Sequence, residues 1–117
     1  SYTKFVEISK LACKQIEINC KLNGLKNYEI INQDVFKFLE SETKKYDLII
    51  IDPPAFAKSK AHLKGAISGW KYLIANSAKL LNNNGYLALF SCSHAINVNL
   101  LLELATSVAI EQDINFE

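Results

Sequence analysis

The run Leu48-Ile49-Ile50-Ile51, ending in Asp52-Pro53-Pro54, constrains this chain more than any other segment. Four consecutive aliphatic side chains leave no polar face, so the run predicts a strand buried on both sides, as in the middle of a parallel sheet. The two prolines remove two backbone donors and fix φ, and they push the residue before them toward extended geometry. A rigid ledge of bare carbonyls beside the Asp52 carboxylate results. Such a ledge can accept hydrogen bonds from a planar amine or ring N–H, and Phe56 nearby could stack on or support a flat base. The structural alternative is a stiff strand-to-helix turn.

The rest of the chain alternates around this strand. Lys4 to Ile8 reads as a short strand carrying Glu7. Ser9 can cap a helix over Lys10 to Leu22, with Ala12, Ile16 and Cys20 on one face, Cys13 beside them, and Asn23-Gly24 as the stop. Tyr28 to Asn32 reads as a second strand, and Asp34 precedes a short helix from Val35 to about Glu42 with Val35, Phe38 and Leu39 on one side. After the Leu48–Ile51 strand, residues 53–65 form a loop, polar and basic after Phe56. A helix follows from about Ala66 to Leu81, with Trp70 and Tyr72 as packing residues. Asn82-Asn83-Asn84-Gly85 reads as a turn. Tyr86 to Phe90 is another buried strand, leading into Ser91-Cys92-Ser93-His94. A helix from Asn99 to about Ala109 comes next, and Asp113 to Glu117 begins one more strand. This strand–helix alternation predicts parallel βαβ units, an α/β fold with helices on both sheet faces.

A length of 117 residues suits one small domain, residues 1–117. The net charge of +1 argues against strong non-specific nucleic-acid binding by the segment alone. The charge is uneven, however: Lys58, Lys60, His62 and Lys64 cluster, with Lys71 close behind. They form either a solvated loop or a phosphate-holding surface beside the ledge. Three cysteines, Cys13, Cys20 and Cys92, suit neither a disulfide framework nor a metal site. No apolar run approaches the ~18 residues of a membrane span, and Ser1-Tyr2-Thr3-Lys4 offers no apolar signal region. A soluble, cytoplasmic chain with no membrane partner is expected.

In a sheet of this kind, ligands bind beyond the carboxyl ends of the strands. Four strand ends carry polar groups there: Glu7, Asp34, Asp52 and the run Ser91–His94. Glu7 could accept from both hydroxyls of a ribose, or be a solvated strand-end acid. Asp34 could accept from an adenine amine, or cap the helix at Val35, and a carboxylate with a free oxygen could do both. Cys92 could be a nucleophile if its pKa is lowered, or a small buried hydrophobe, the reading that suits Cys13 and Cys20. His94 reads as structural.

Several segments together resemble a known family. Tyr46 to Lys60, centred on Asp52-Pro53-Pro54-Ala55-Phe56, resembles the fourth motif of the large-subunit rRNA cytosine-5 methyltransferases, which are class I S-adenosylmethionine-dependent enzymes. Phe90-Ser91-Cys92-Ser93-His94 resembles their Ser-Cys-Ser motif, Val6-Glu7-Ile8-Ser9-Lys10 their acidic strand, and Gln33-Asp34-Val35-Phe36 their Gly-Asp-Val-Phe step. Leu22 to Leu25 and Gly69-Trp70-Lys71 also have counterparts.

The resemblance spans essentially the whole chain and implies a Rossmann-like methyltransferase sheet. It further implies that Glu7 and Ile8 bind the ribose end of S-adenosylmethionine, and Asp34 and Val35 the adenine end. Asp52 and Pro53 would face the methionine end and the target base, with Pro54, Phe56, Lys58 and Lys60 on the substrate side. Cys92 would attack C6 of a cytosine in 23S rRNA. The chain departs from the family pattern in having glutamate at Glu7. It also lacks the glycine-rich first strand, which belongs between the Glu7 and Asp52 strands, as well as the RNA-binding amino-terminal part and the final strands.

An incomplete sheet follows, with strand edges that need partners. Either the Glu7 and Asp52 strands pair directly, or another chain fills the gap in a homo-oligomer, or the segment is part of a larger protein. On its own the segment is expected to bind the cofactor weakly or not at all. RNA is the expected partner. Two other readings stay open: a methyltransferase acting on guanine or an exocyclic amine, which needs no cysteine, and a catalytically silent RNA-binding or structural fragment.

Overall fold

The computed structural model describes residues 1–55 and 62–117. The elements run β1 (Thr3–Glu7), α1 (Lys10–Leu22), β2 (Tyr28–Asn32), α2 (Val35–Ser41), β3 (Tyr46–Ile51), α3 (Leu63–Ala78), β4 (Leu81–Leu89) and α4 (Val98–Gln112). The predicted alternation is thus observed. The chain divides into two compact units, Ser1–Glu42 and Thr43–Glu117. Each contains one two-stranded parallel sheet whose strands are joined through a helix.

In the first unit, β1 and β2 pair from Thr3↔Tyr28 to Glu7↔Asn32, so the two strands end level. Ser9 starts α1 as expected, its hydroxyl accepting the Ala12 N–H at 3.2 Å. Gly24 ends it: at φ 68° it adopts the left-handed geometry that glycine tolerates best, and the Leu25 N–H returns to the Cys20 carbonyl at 2.9 Å. Of the apolar α1 face, Cys20 is buried, and Ala12, Cys13 and Ile16 are half-buried. Lys4 links strand and helix. Its Nζ lies 2.8 Å from Glu42, 3.8 Å from Glu29 and 5.6 Å from the Phe38 ring centre.

The second unit holds most of the core. Ala66, Trp70, Leu73, Ile74, Ser77 and Ala78 recur at helical spacing on α3 and are all buried. They share the interior with Ile51, Leu80, Ile96 and the α4 residues Leu101, Leu104 and Val108. Helix α3 packs on β4 and on α4.

Three sequence expectations are corrected here. β3 is not buried on both faces: Ile51 is 8% exposed, but Leu48 and Ile50 are 54% and 61% exposed. Side chains alternate across a strand, and among the described residues only the Ile51 side of β3 is covered by packing. Asn82–Gly85 is not a turn ahead of a strand but an interruption inside one. Leu81 pairs with Tyr46 and Tyr86 with Leu48, so five steps along β4 oppose two along β3. Asn84 absorbs the excess with φ 64°, and the Asn82 amide donates to Asp47 at 2.9 Å. Finally, residues 113–117 start no strand. Asp113, at φ 54°, closes α4, and the Ile114 N–H bonds back to the Ala109 carbonyl at 2.9 Å.

Candidate active site

Each unit brings its strand-end polar groups to the carboxyl edge of its own sheet, the side where parallel sheets bind ligands. In the first unit these groups are Glu7 and Asp34. β1 stops after Glu7, and the carboxylate folds back so that its Oε2 accepts the Ile8 N–H at 2.9 Å. That leaves Oε1 to face another donor. The Glu7 carbonyl is a junction: it accepts from the Asn32 side-chain amide at 3.0 Å, from the Gln33 N–H at 3.1 Å and from the Cys13 thiol at 3.4 Å. Cys13 is therefore more than an apolar filler, since it also ties α1 to the end of β1. Ile8 is exposed beside this junction.

Asp34 is the N-cap of α2, and its Oδ1 accepts the Phe36 N–H at 3.1 Å. The capping role foreseen from the sequence is thus observed. It engages one carboxylate oxygen and leaves the other as a potential acceptor for a ligand amine. Val35 is the half-buried first residue of α2.

In the second unit the level ends of β3 and β4 deliver two motifs to one place. The Phe90 N–H bonds to the Ile51 carbonyl at 2.9 Å, which extends the ladder one residue past β4. Beyond that bond, β3 becomes Asp52-Pro53-Pro54 and β4 becomes Ser91-Cys92-Ser93. Asp52 and Pro54 are exposed and Pro53 is half-buried. The Ser91 hydroxyl accepts the Ser93 N–H at 3.2 Å and sits 3.4 Å from the Ser93 carbonyl, which curls the segment around Cys92. Cys92 is exposed, and its Sγ lies 4.0 Å from the Pro53 carbonyl oxygen. The thiol thus sits against the proline ledge, 39 positions away in sequence.

Phe56, Lys58 and Lys60 lie outside the described residues. Of the other basic positions, His62 and Lys64 are exposed at the start of α3, whereas Lys71 pairs with Glu111 at 3.1 Å. Trp70 is core, 2% exposed. Among the described residues no group of three or more His, Cys, Asp or Glu side chains could hold a metal ion, and no helix is long and apolar enough to cross a membrane. Sequence reasoning missed Asn32, whose side-chain amide bonds to the carbonyls of Glu7 and Ile8. Its only visible signal is an amide at the last position of a strand, and its importance depends on a strand register that the sequence does not display.

The model of the methyltransferase small domain family matches residues 1–114. The chain belongs to this family. Among curated proteins, this methyltransferase small domain is 34% identical over 111 residues to "Ribosomal RNA large subunit methyltransferase I" of Photobacterium profundum, covering 91% of the chain and 28% of the relative. The proteins of the same name from Aeromonas salmonicida and Klebsiella pneumoniae are 36% and 35% identical, over 91% and 95% of the chain and 28% and 30% of the relatives. The chain therefore spans less than a third of each of these proteins.

Two solved structures share the fold. The structure of "A putative sam-dependent methyltransferase from Streptococcus mutans" superposes with a TM-score of 0.72 at 24% identity, over 95% of the chain and 30% of that structure. The structure of "SMU.776, a putative methyltransferase complexed with SAH" superposes with a TM-score of 0.71 at 24% identity, over 88% and 28%. The expected methyltransferase fold, present here as an incomplete Rossmann-like α/β segment, is borne out.

Proposed function

We propose that residues 1–117 are part of one methyltransferase domain in a cytoplasmic S-adenosylmethionine-dependent RNA methyltransferase. We further propose that it acts on C5 of a cytosine in large-subunit (23S) rRNA, with Cys92 as nucleophile. The observation that carries this reading is the exposed Cys92 thiol, 4.0 Å from the Pro53 carbonyl at the level ends of β3 and β4. A purely structural cysteine would be expected in the interior, as Cys20 is. The names of the rRNA methyltransferase relatives support RNA as the substrate class.

The residues of the first unit fit the nucleoside part of the cofactor. Glu7 holds Oε2 on the Ile8 N–H and offers Oε1 to a ribose hydroxyl. Asp34 caps α2 with Oδ1 and offers Oδ2 to the adenine amine, and Ile8 and Val35 complete the cofactor side. When bound, S-adenosylmethionine supplies an electrophilic methyl group on a sulfonium.

On the substrate side, Asp52 and the carbonyls of Pro53 and Pro54 accept hydrogen bonds from the amine edge of a cytosine extruded from its stack. Phe56, Lys58 and Lys60, which lie outside the described residues, are assigned to the substrate side by the family resemblance alone. The Cys92 thiolate adds to C6, and the electron pair of the C5–C6 double bond makes C5 nucleophilic. Once C5 carries the new methyl group, a base removes the C5 proton, the double bond re-forms and the C6–S bond breaks to return the thiolate.

The test is methyl transfer from labelled S-adenosylmethionine to rRNA by the natural full-length protein, with and without Cys92→Ala. The expected product is 5-methylcytidine, and the variant should lose about a thousandfold or more in turnover. A variant that methylates normally would make Cys92 structural, and methylation of guanine or an exocyclic amine would take over as the reading.

A further inference from the structure

We infer that Asn32 is a positioning residue for cofactor binding, its side-chain amide clamping the turn that carries Glu7 and Ile8. The inference rests on the reading of Glu7 as the ribose-binding acid. Asn32 is the last residue of β2 and pairs in register with Glu7, the last residue of β1. Its Nδ2 donates to the Glu7 carbonyl at 3.0 Å and to the Ile8 carbonyl at 2.8 Å. Both partners are acceptors, so chemistry alone decides which end of the amide faces them: only the nitrogen can.

The Glu7 carbonyl and the Ile8 N–H belong to the same planar peptide group. One end of that plane is held by Asn32, and the other end donates to the Glu7 carboxylate at 2.9 Å. Orientation therefore passes from the Asn32 amide through one rigid unit to the acid. The second bond, to the Ile8 carbonyl, holds the next peptide plane as well, beyond the point where β1 stops. At Ile8 the ladder no longer restrains the chain, and the side chain of Asn32 takes over that restraint.

Asn32 is exposed and belongs to no apolar cluster. Asn32→Asp keeps its shape but replaces the donor with a carboxylate oxygen facing two carbonyls. The turn must then open, and the Glu7 carboxylate turns with it. The experiment uses the natural full-length protein and four forms: wild type, Asn32→Asp, Glu7→Ala and the double variant. Calorimetry with S-adenosylhomocysteine reads affinity, steady-state kinetics read KM for S-adenosylmethionine and kcat, and thermal unfolding reads stability.

Asn32→Asp is expected to weaken binding about tenfold, the scale of one or two lost hydrogen bonds, and to raise KM by more than it lowers kcat. In the Glu7→Ala background the same change should have almost no further effect, because its route to the ligand is already gone. Wild-type affinity in Asn32→Asp, or losses that multiply in the double variant, would overturn the inference while leaving Glu7 in place. Wild-type affinity in Glu7→Ala would remove the ribose-binding reading itself, and the inference with it.

Discussion

Replacing Gly85 with alanine tests the interruption in β4, and with it the strand register that sets Cys92 against Pro53. A Cβ built on Gly85 would lie 2.9 Å from the Asn82 carbonyl oxygen, 3.2 Å from the Asp47 carbonyl oxygen and 3.3 Å from a Leu81 methyl carbon. The methyl can rotate away, but the two carbonyls are backbone and cannot. One sits in the interruption itself and the other in β3, so the interruption must reshape and the Asp47 carbonyl must give by a few tenths of an ångström. The backbone at Gly85 is not left-handed, so the penalty is steric alone.

Overpacking of this kind costs about 1–3 kcal/mol, and the entropy gained by removing a glycine returns less than about 1 kcal/mol of it. Gly65→Ala in α3 is the control, since among the described residues beyond its chain neighbours and its own helix backbone no atom lies within 4 Å of the new Cβ. It should stabilise α3 by roughly 0.5–1 kcal/mol. Hydrogen exchange in the natural full-length protein reads each element locally. With a mid-range net cost of about 1.3 kcal/mol, peptides covering residues 81–89 should exchange about tenfold faster in Gly85→Ala, and peptides covering α3 should slow several-fold in Gly65→Ala. Unchanged or slower exchange of residues 81–89 in Gly85→Ala would refute the steric argument and the register drawn from it.

Two smaller perturbations bear on the two units. Trp70, 2% exposed at the centre of the α3 face, should cost about 3–5 kcal/mol when changed to alanine, read as collapsed protection of α3 and α4 together. Ser9→Ala removes the acceptor for the Ala12 N–H and should cost about 1 kcal/mol, confined to the first turns of α1 and seen there as faster exchange.

Much of the fold was legible because local rules agreed with it. Ser9 and Asn23-Gly24 bracketed α1 at its observed ends, since caps satisfy backbone groups that any helix leaves open. The site was legible in part for a similar reason. A strand followed by Asp-Pro-Pro has few ways to continue, and Asp34 before Val35 reads as a cap from its neighbours alone. α3 starts at Leu63, ahead of the Ala66 that the sequence indicates, because Leu63 and Lys64 lie in a stretch whose composition reads as loop. β4 is longer than its sequence suggests, because asparagines and a glycine are turn residues and here the strand pairs on both sides of them.

By itself, then, the sequence determined the order of elements, their parallel pairing through helices, and the chemistry gathered at the strand ends. Those are consequences of side-chain periodicity and backbone capping, which act over a few residues. Only the tertiary structure decided that Leu48 and Ile50 lie exposed while Ile51 is buried, that Cys92 rests against Pro53, and that Asn32 holds the Glu7 turn. Each of these depends on which residue faces which across two strands. Register is set by the sum of packing along a whole sheet, and no local pattern encodes it.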